Sequence, residues 1–347
     1  MNKLAELRTL GLNIDTRQAR NQTNHTFTVR NRVIEHDSFT KTIRAIANVH
    51  ERWVLSRVPG ALLIYGQSGS GKSTVLKYYM QQFPRQSTPR KIIIPVLKVV
   101  TPEAPTVRSF TEALLVALRD PAAARGSAAV KTQRIMHFVK ECDIQIILID
   151  EFHHFCDSKR SENRRVTDWL KNLINECGVP VVLFGLPRAI SALYSNEQLR
   201  RRFSSPIHLS EFRFQTPEEQ SNFRSVLHHL QSLMPYQHGL NLSAPEVAMR
   251  FHFATNGLID YVVKIIDELV TASADHVQPT VDYSALQDAF RTQIWAEVPD
   301  RLNPFNPEIN PRRLDQPNEP FSIWDDPSNY TLSRRAKVAV GSEGRKG

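Results

Sequence analysis

Apolar residues recur at every third or fourth position between Val33 and Trp53, at Phe39, Ile43, Ile46 and Val49, and this spacing predicts an amphipathic helix. The period then changes. Ala61 to Tyr65, Lys91 to Val99, Ile144 to Ile149 and Pro180 to Phe184 are short, nearly continuous apolar runs of the length and β-branched content expected of buried strands. Helical spacing returns between and after them, at Ser73 to Phe83, Val107 to Leu118, Lys131 to Glu141, Arg164 to Glu176 and Pro187 to Ser195. Strands alternating with helices predict a parallel sheet with helices on both faces. The segment DPAAARGSAA, rich in turn and small residues, reads as a surface loop between two of the helices.

From Thr216 the alternation stops. Pro217 to Met234, Ala244 to Ala254 and Leu258 to Ala274 all carry helical spacing, which predicts a second, all-helical domain. Before the first helix, residues 1–30 are polar and periodic only at Leu4, Leu7 and Leu10, so they read as an arm. Beyond Val298, the prolines at 299, 304, 307, 311, 317, 320 and 327 exclude long helices and central strands. The predicted organisation is an arm over 1–30, an α/β domain over 31–215, a helical domain over 216–298 and a Pro-rich tail over 299–347. Phe305, Phe321, Trp324 and Tyr330 lie in that tail, and aromatic residues on an extended strand suit a partner's groove. The alternative is that they pack back on the helical domain.

Composition narrows the class. Hydrophobic residues make up 41% and charged residues 23% of the 347, the balance of a folded globular chain. No apolar run could cross a bilayer, and the amino terminus lacks the layout of a secretory signal, so a cytoplasmic protein with no membrane partner is expected. Cys142, Cys156 and Cys177 form no CxxC pair, which argues against a disulfide framework or a zinc site. A formal charge of +9 points to a phosphate-bearing partner, nucleic acid first, with simple solubility as the alternative.

The chemistry begins at Gly66-Gln67-Ser68-Gly69-Ser70-Gly71-Lys72-Ser73, which fits the GxxxxGK[ST] phosphate loop and stands between a predicted strand and a predicted helix. Its glycines let backbone N–H groups curl around phosphate, and the helix amino terminus adds its positive pole. Lys72 then neutralises the β and γ oxygens of ATP, Ser73 ligates Mg²⁺, and Thr74 follows in the first helical turn. Asp150 and Glu151 close the strand Ile144 to Ile149. An acid at the end of a neighbouring parallel strand holds Mg²⁺, the role of Asp150, and Glu151 polarises the attacking water as general base. His153 and His154 come next, and a metal site there is disfavoured because adjacent side chains diverge on regular backbone. Arg200-Arg201-Arg202 offers an arginine finger for a neighbouring subunit's γ-phosphate, Arg202 ahead of Arg201, with a solvated basic helix end or a DNA contact as the alternative.

With GQSGSGKST, PEAPTVRSFTEALLVALRD, IILIDEFHHF, VPVVLFGLPRA, LRRRF and ATNGLIDYVVKIIDELVTASA in view, the sequence resembles the TnsC/TniB family of AAA+ regulators of DNA transposition across roughly residues 30 to 290. The resemblance implies an AAA+ P-loop NTPase with a small helical lid, using ATP and Mg²⁺. It also implies ATP-dependent oligomers, a ring or a helical filament, on double-stranded DNA. Implied partners are a DDE transposase of the TnsB/TniA type and a TniQ-like target selector, in some systems linked to a CRISPR effector. By position, the segments facing DNA in such proteins match Arg108, Arg125, Lys131, Lys159 and Arg160. Two residues depart from the pattern: Leu186 stands where a polar γ-phosphate sensor is usual, and Asp260 where a lid arginine would follow Gly257. Two other readings compete, another AAA+ switch such as a replication initiator or helicase loader, and a P-loop kinase.

Overall fold

The computed structural model describes residue 29 and residues 33–89, 91–157, 160–194, 197–235, 239–272 and 280–322. Its contacts divide the chain into two compact units, whose described parts are residues 35–210 and residues 211–322 with Val29, Val33 and Ile34.

In the first unit, α1 (Asp37–Ser56) starts where the His36 ring accepts the Phe39 N–H. It buries Phe39, Ile43 and Ile46 of the stripe that the periodicity predicts, while Val49 is only half-buried and Trp53 is buried in its stead. There follow β1 (Ala61–Tyr65), α2 (Lys72–Gln82), a small hairpin of β2 (Gln86–Ser87) and β3 (Ile92–Ile93), and β4 (Val96–Val100). The run expected to be one strand from Lys91 to Val99 is therefore two. Pro95, which has no N–H for a ladder, separates them, and its carbonyl accepts the N–H groups of Gln145 and Ile146 instead. Next come α3 (Val107–Ala117), α4 (Ala128–Glu141), β5 (Ile146–Asp150), α5 (His154–Asp157), α6 (Arg160–Cys177), β6 (Val181–Gly185), α7 (Ala189–Tyr194), α8 (Glu197–Arg200) and β7 (Ile207–His208).

The five-stranded sheet runs β4-β5-β6-β1-β7, every pair parallel. This corrects one expectation: the strand ending in Asp150 is not beside the strand leading into the phosphate loop, because β6 lies between them. The register still aligns their ends, with Tyr65 opposite Gly185 and Val100 opposite Asp150. Leu63, Ile147, Ile149, Val181 and Leu183 pack one face against helices that include α3, α4 and α6. Behind the phosphate-loop helix, His50 is fully buried. Its Nε2 meets the Gln145 Oε1, which can only accept, so Nε2 carries the proton and Nδ1 accepts from the Tyr79 hydroxyl, both at 2.9 Å.

The second unit is helical, with α9 (Pro217–Leu233), α10 (Pro245–Thr255), α11 (Ile259–Ala272) and α12 (Tyr283–Gln293), then a 3₁₀ turn at Asp300–Leu302. Thr216 and Glu219 form a capping box that starts α9. Phe223, Leu227, Phe251, Ile265, Ile266 and Phe290 fill its centre, and Val29 from the expected arm joins them. The rest of the arm lies outside the described residues. No helix among the described residues is long and apolar enough to cross a membrane.

Over residues 299–322 the structure shows the alternative of packing on the helical domain. Phe305 is fully buried, its ring edge-on to Phe251 with centroids 4.9 Å apart, and Phe321 stands edge-on to Tyr261. A buried Arg250 fastens this segment. Its guanidinium donates to the carbonyls of Pro304 (2.9 Å), Asn306 (2.7 Å) and Ile309 (3.2 Å) and pairs with Glu246. A Pro-rich segment has few N–H groups to pair with its carbonyls, and a planar five-donor group satisfies three of them, the Pro304 bond fully buried. Trp324 and Tyr330 lie outside the described residues.

Two predictions follow from this packing. Phe305→Ala should cost the helical unit about 3–5 kcal/mol in a denaturant titration. Removal of residues 299–347 should abolish that unit's cooperative transition. The second concerns pH. Burial lowers the pKa of His50 from the ordinary 6.5 to about 4, against an opposing pull from Gln145, and burial lowers His36 to about 4 as well. As pH falls the unfolded chain protonates first, so the stability from each neutral ring is complete above pH 6.5 and lost between pH 6.5 and about 4. For His50 that amounts to about 3 kcal/mol. His50→Gln should reduce the slope of first-unit stability against pH in that window, read from denaturant titrations at several pH values.

Candidate nucleotide site

Because the sheet is parallel, the loops after β1, β4, β5 and β6 all leave its carboxyl edge, where ligands of such sheets bind. The first carries Gly66 to Ser73. A Cβ on Gly66 would lie 2.3 Å from the Leu209 carbonyl oxygen and 2.6 Å from the Ser70 hydroxyl, so only glycine fits. Gly69 and Gly71 have φ of 78° and 95°, left-handed values that side chains resist. Gly71 caps α2 without a side-chain hydrogen bond, which leaves the first N–H groups of that helix for an anion.

The loop's polar groups are poised for phosphate. The Ser70 hydroxyl is buried with no hydrogen-bond partner. The Lys72 ammonium donates to the loop carbonyls of Gly66 (2.8 Å) and Gln67 (2.7 Å). Burial lowers its pKa, while Glu151 and Asp150 pull it back up, so both acids act on the Lys72 charge. Gln67, Ser68, Ser73 and Thr74 are exposed along the same loop and first turn. An orphaned hydroxyl, a partly desolvated ammonium and a loop whose Gly66 admits no side chain fit a nucleoside triphosphate.

Asp150 ends β5 nearly buried, and both of its oxygens are engaged. Oδ1 accepts the Glu151 N–H at 3.0 Å, and Oδ2 meets the Lys98 ammonium at 3.2 Å. Sequence reasoning missed Lys98. Its signal was a lone cation inside Val-Leu-Lys-Val-Val, where an unpaired charge on a central segment would be costly. The Asp150 carbonyl is held by Thr101 at the end of β4, which gives it both its N–H (3.0 Å) and its hydroxyl (2.8 Å). Glu151 has φ of 55°, a conformation that costs a residue with a side chain about 1–3 kcal/mol. The turn it makes breaks away from β5, and α5 begins three residues later.

That turn corrects the expectation for the two histidines. The His153 and His154 rings stand 4.6 Å apart rather than diverging, and the Nδ1 of His153 lies 3.1 Å from the Glu151 carboxylate. The same Nδ1 faces the Leu186 N–H at 3.5 Å, so this histidine occupies the space between the general-base candidate and the usual sensor position. In the second unit, Asp260 pairs with Lys264 one turn along α11 at 2.7 Å.

The arginine-rich segment is sorted by its partners. Arg201 pairs with Glu197 at 2.6 Å, and Arg200 lies over the Tyr194 ring. Arg202 is exposed and has no ion pair among the described residues, which keeps it the better finger candidate. Of the DNA-facing expectations, Arg108 and Arg125 are exposed, the latter in a loop whose Ala122 and Arg125 carbonyls are held by Arg134. Lys131 is corrected: it is fully buried and paired with Glu112 at 2.6 Å, so it presents no charge to a phosphate. Lys159 and the Arg160 side chain lie outside the described residues.

The model of the family described as bacterial TniB protein matches residues 25–214. Among curated proteins none matches the chain. Solved structures share the fold at low identity. The ORC2 protein of Aeropyrum pernix, in ADPNP–ADP complexes, is 12% identical over 81% of this chain and 72% of its own, with a TM-score of 0.54. Cdc6p of Pyrobaculum aerophilum is 10% identical over 77% and 70%, at 0.56. The Aeropyrum pernix ORC1 protein in complex with DNA is 13% identical over 74% and 65%, at 0.57. At these identities they establish the AAA+ P-loop fold and nothing finer.

The Gly66 cradle gives a direct test. Gly66→Ala should lower ATP affinity at least about tenfold, since the added methyl must displace backbone at Leu209 or the Ser70 hydroxyl. Fluorescent-nucleotide titration reads the loss, and an unchanged melting curve without nucleotide separates it from misfolding.

Proposed function

The chain belongs to the TniB family and is an AAA+ ATPase, and from that premise we propose that it is an ATP-controlled regulator of DNA transposition. In this reading ATP assembles subunits into a ring or helical filament on double-stranded DNA. The assembly recruits a DDE transposase under a TniQ-like selector, and hydrolysis releases it. The observation that carries the ATP part is the joint placement of the phosphate loop and the Asp150–Glu151 pair at one sheet edge, with Lys72 feeling both acids. The DNA part rests on the +9 charge and on exposed Arg108 and Arg125.

The residues divide the work. Ser73 and Asp150 would hold Mg²⁺, which supplies charge neutralisation between phosphates. Lys98 holds Asp150 in place, so the metal-side carboxylate keeps its orientation when nucleotide leaves. Glu151, on a strained turn and against His153, would take the proton of the attacking water. Arg202 of one subunit would stabilise the charge developing on the γ-phosphate held by the next.

A mixing experiment tests the assembly and the roles together. Glu151→Gln should lower hydrolysis about 10²- to 10⁴-fold and leave ATP-dependent oligomers on DNA intact or more persistent. Arg202→Ala should lose about 10³-fold. Mixed together, the two inactive proteins should recover hydrolysis, because an E151Q subunit can lend its Arg202 to the intact site of an R202A neighbour. No recovery in mixtures that co-assemble on DNA would remove Arg202 from the finger role.

A further inference from the structure

The segment after β5 places three metal-ligating side chains together, Glu151, His153 and His154, with one ligand atom from each within 4.8 Å of the others. Two features set the cluster apart from a chance grouping of polar residues. The first is the tautomer of His154. Its Nδ1 lies 3.2 Å from the Thr101 carbonyl oxygen, which can only accept, so Nδ1 carries the proton and Nε2 presents its lone pair. A histidine that ligates a metal through one nitrogen and gives the other N–H to a backbone carbonyl has this arrangement. Thr101 is itself fixed, its N–H and hydroxyl both bound to the Asp150 carbonyl.

The second feature is the close approach of a ring nitrogen and a carboxylate. The buried Nδ1 of His153 stands 3.1 Å from a Glu151 carboxylate oxygen, on the side where the Leu186 N–H also points at it from 3.5 Å. When Nδ1 carries no proton, its single lone pair can turn to the Leu186 N–H or to the carboxylate but not to both, and facing the carboxylate it needs a positive centre between them. A proton on the ring is one such centre. A divalent cation about 2 Å from each ligand is the other, and the 3.1 Å separation suits two adjacent ligands of a tetrahedral ion.

We propose that Glu151, His153 and His154 form a site for a borderline divalent cation of the zinc class, and that its occupation switches ATP hydrolysis off by taking the Glu151 carboxylate away from water activation. Two imidazoles and one carboxylate favour such an ion over magnesium, which prefers oxygen and water. Ser73, Lys72 and Asp150 lie outside the ligand set, so nucleotide binding and assembly continue while hydrolysis stops. The inhibitory half of the proposal rests on Glu151 being the general base; the binding half does not.

The test therefore has two readouts on untagged, full-length protein. Without nucleotide, Co²⁺ should produce the intense visible absorption of a four-coordinate ion at one equivalent, and Zn²⁺ should displace it. His154→Gln should weaken that binding at least about tenfold. With excess Mg²⁺ and ATP, micromolar Zn²⁺ should inhibit wild-type hydrolysis and leave His154→Gln, whose uninhibited rate matches wild type, at least about tenfold less sensitive. Absence of the Co²⁺ signal, or binding unaltered by His154→Gln, overturns the site. Binding with full His154 dependence but no inhibition keeps the site and overturns the switch, and it points the doubt at Glu151's catalytic role. An adventitious ion on other surface histidines shows as binding that His154→Gln does not change.

Discussion

Parallel pairing of β1 with β6 and of β6 with β5 is the constraint on which the site depends. The phosphate loop and the acidic pair are far apart in sequence and are not on adjacent strands, so no local structure can set their separation. The ladder does so, because a parallel register brings every strand end to the same edge, and a slip of one residue would turn Asp150 to the opposite face. The fully buried runs Leu-Leu-Ile, Ile-Ile-Leu-Ile and Val-Val-Leu-Phe secure that register, since any slip would expose apolar surface or bury a turn residue. The chemistry at the edge thus rests on the hydrophobic pattern of the middle.

That is why so much of the first unit was legible in the sequence. Strands buried on both faces announce themselves as continuous apolar runs, and the glycine loop between a strand and a helix leaves few alternatives. What was not legible has physical causes. The insertion of β6 between β1 and β5 is a matter of non-local pairing, which periodicity does not encode. Pro95 ended a strand that composition alone extends. Lys131 carries the charge of a surface residue, yet it occupies a buried face of α4 because Glu112 on α3 meets it. His153 and His154 converge because Glu151 adopts a left-handed backbone conformation, which nothing in the residue's identity predicts.

The helical unit shows the same lesson in reverse. Prolines from 299 onward exclude regular structure, and that exclusion leaves both docking on a partner and packing on the core open. Lack of regular structure does not prevent burial when the carbonyls have donors, and Arg250 supplies them while Phe305 fills the space between Phe251 and Phe290. Isolated Phe residues between prolines can be read as partner anchors or as core. The deciding signal was the helix opposite, where an arginine within Val-Ala-Met-Arg-Phe on an otherwise apolar stretch needs several acceptors to be buried at all.

Charge accounting bears on the DNA part of the proposed function. The chain has 44 basic and 35 acidic residues, so even if every acid were paired to a cation, nine cations would have no acid of their own. Three of the described pairs take their cations from inside the units: Lys98, Lys131 and Arg250 are buried or half-buried against Asp150, Glu112 and Glu246. Each such pair uses up an acid in the fold's interior or at its margin and so shifts the uncompensated charge outward, to positions such as Arg108, Arg125 and Arg202. A surface left positive in this way repels copies of itself in the absence of a polyanion. In the proposed function duplex DNA would remove that repulsion while its counterions are released, so such a subunit would gain more from assembling on DNA than from assembling alone.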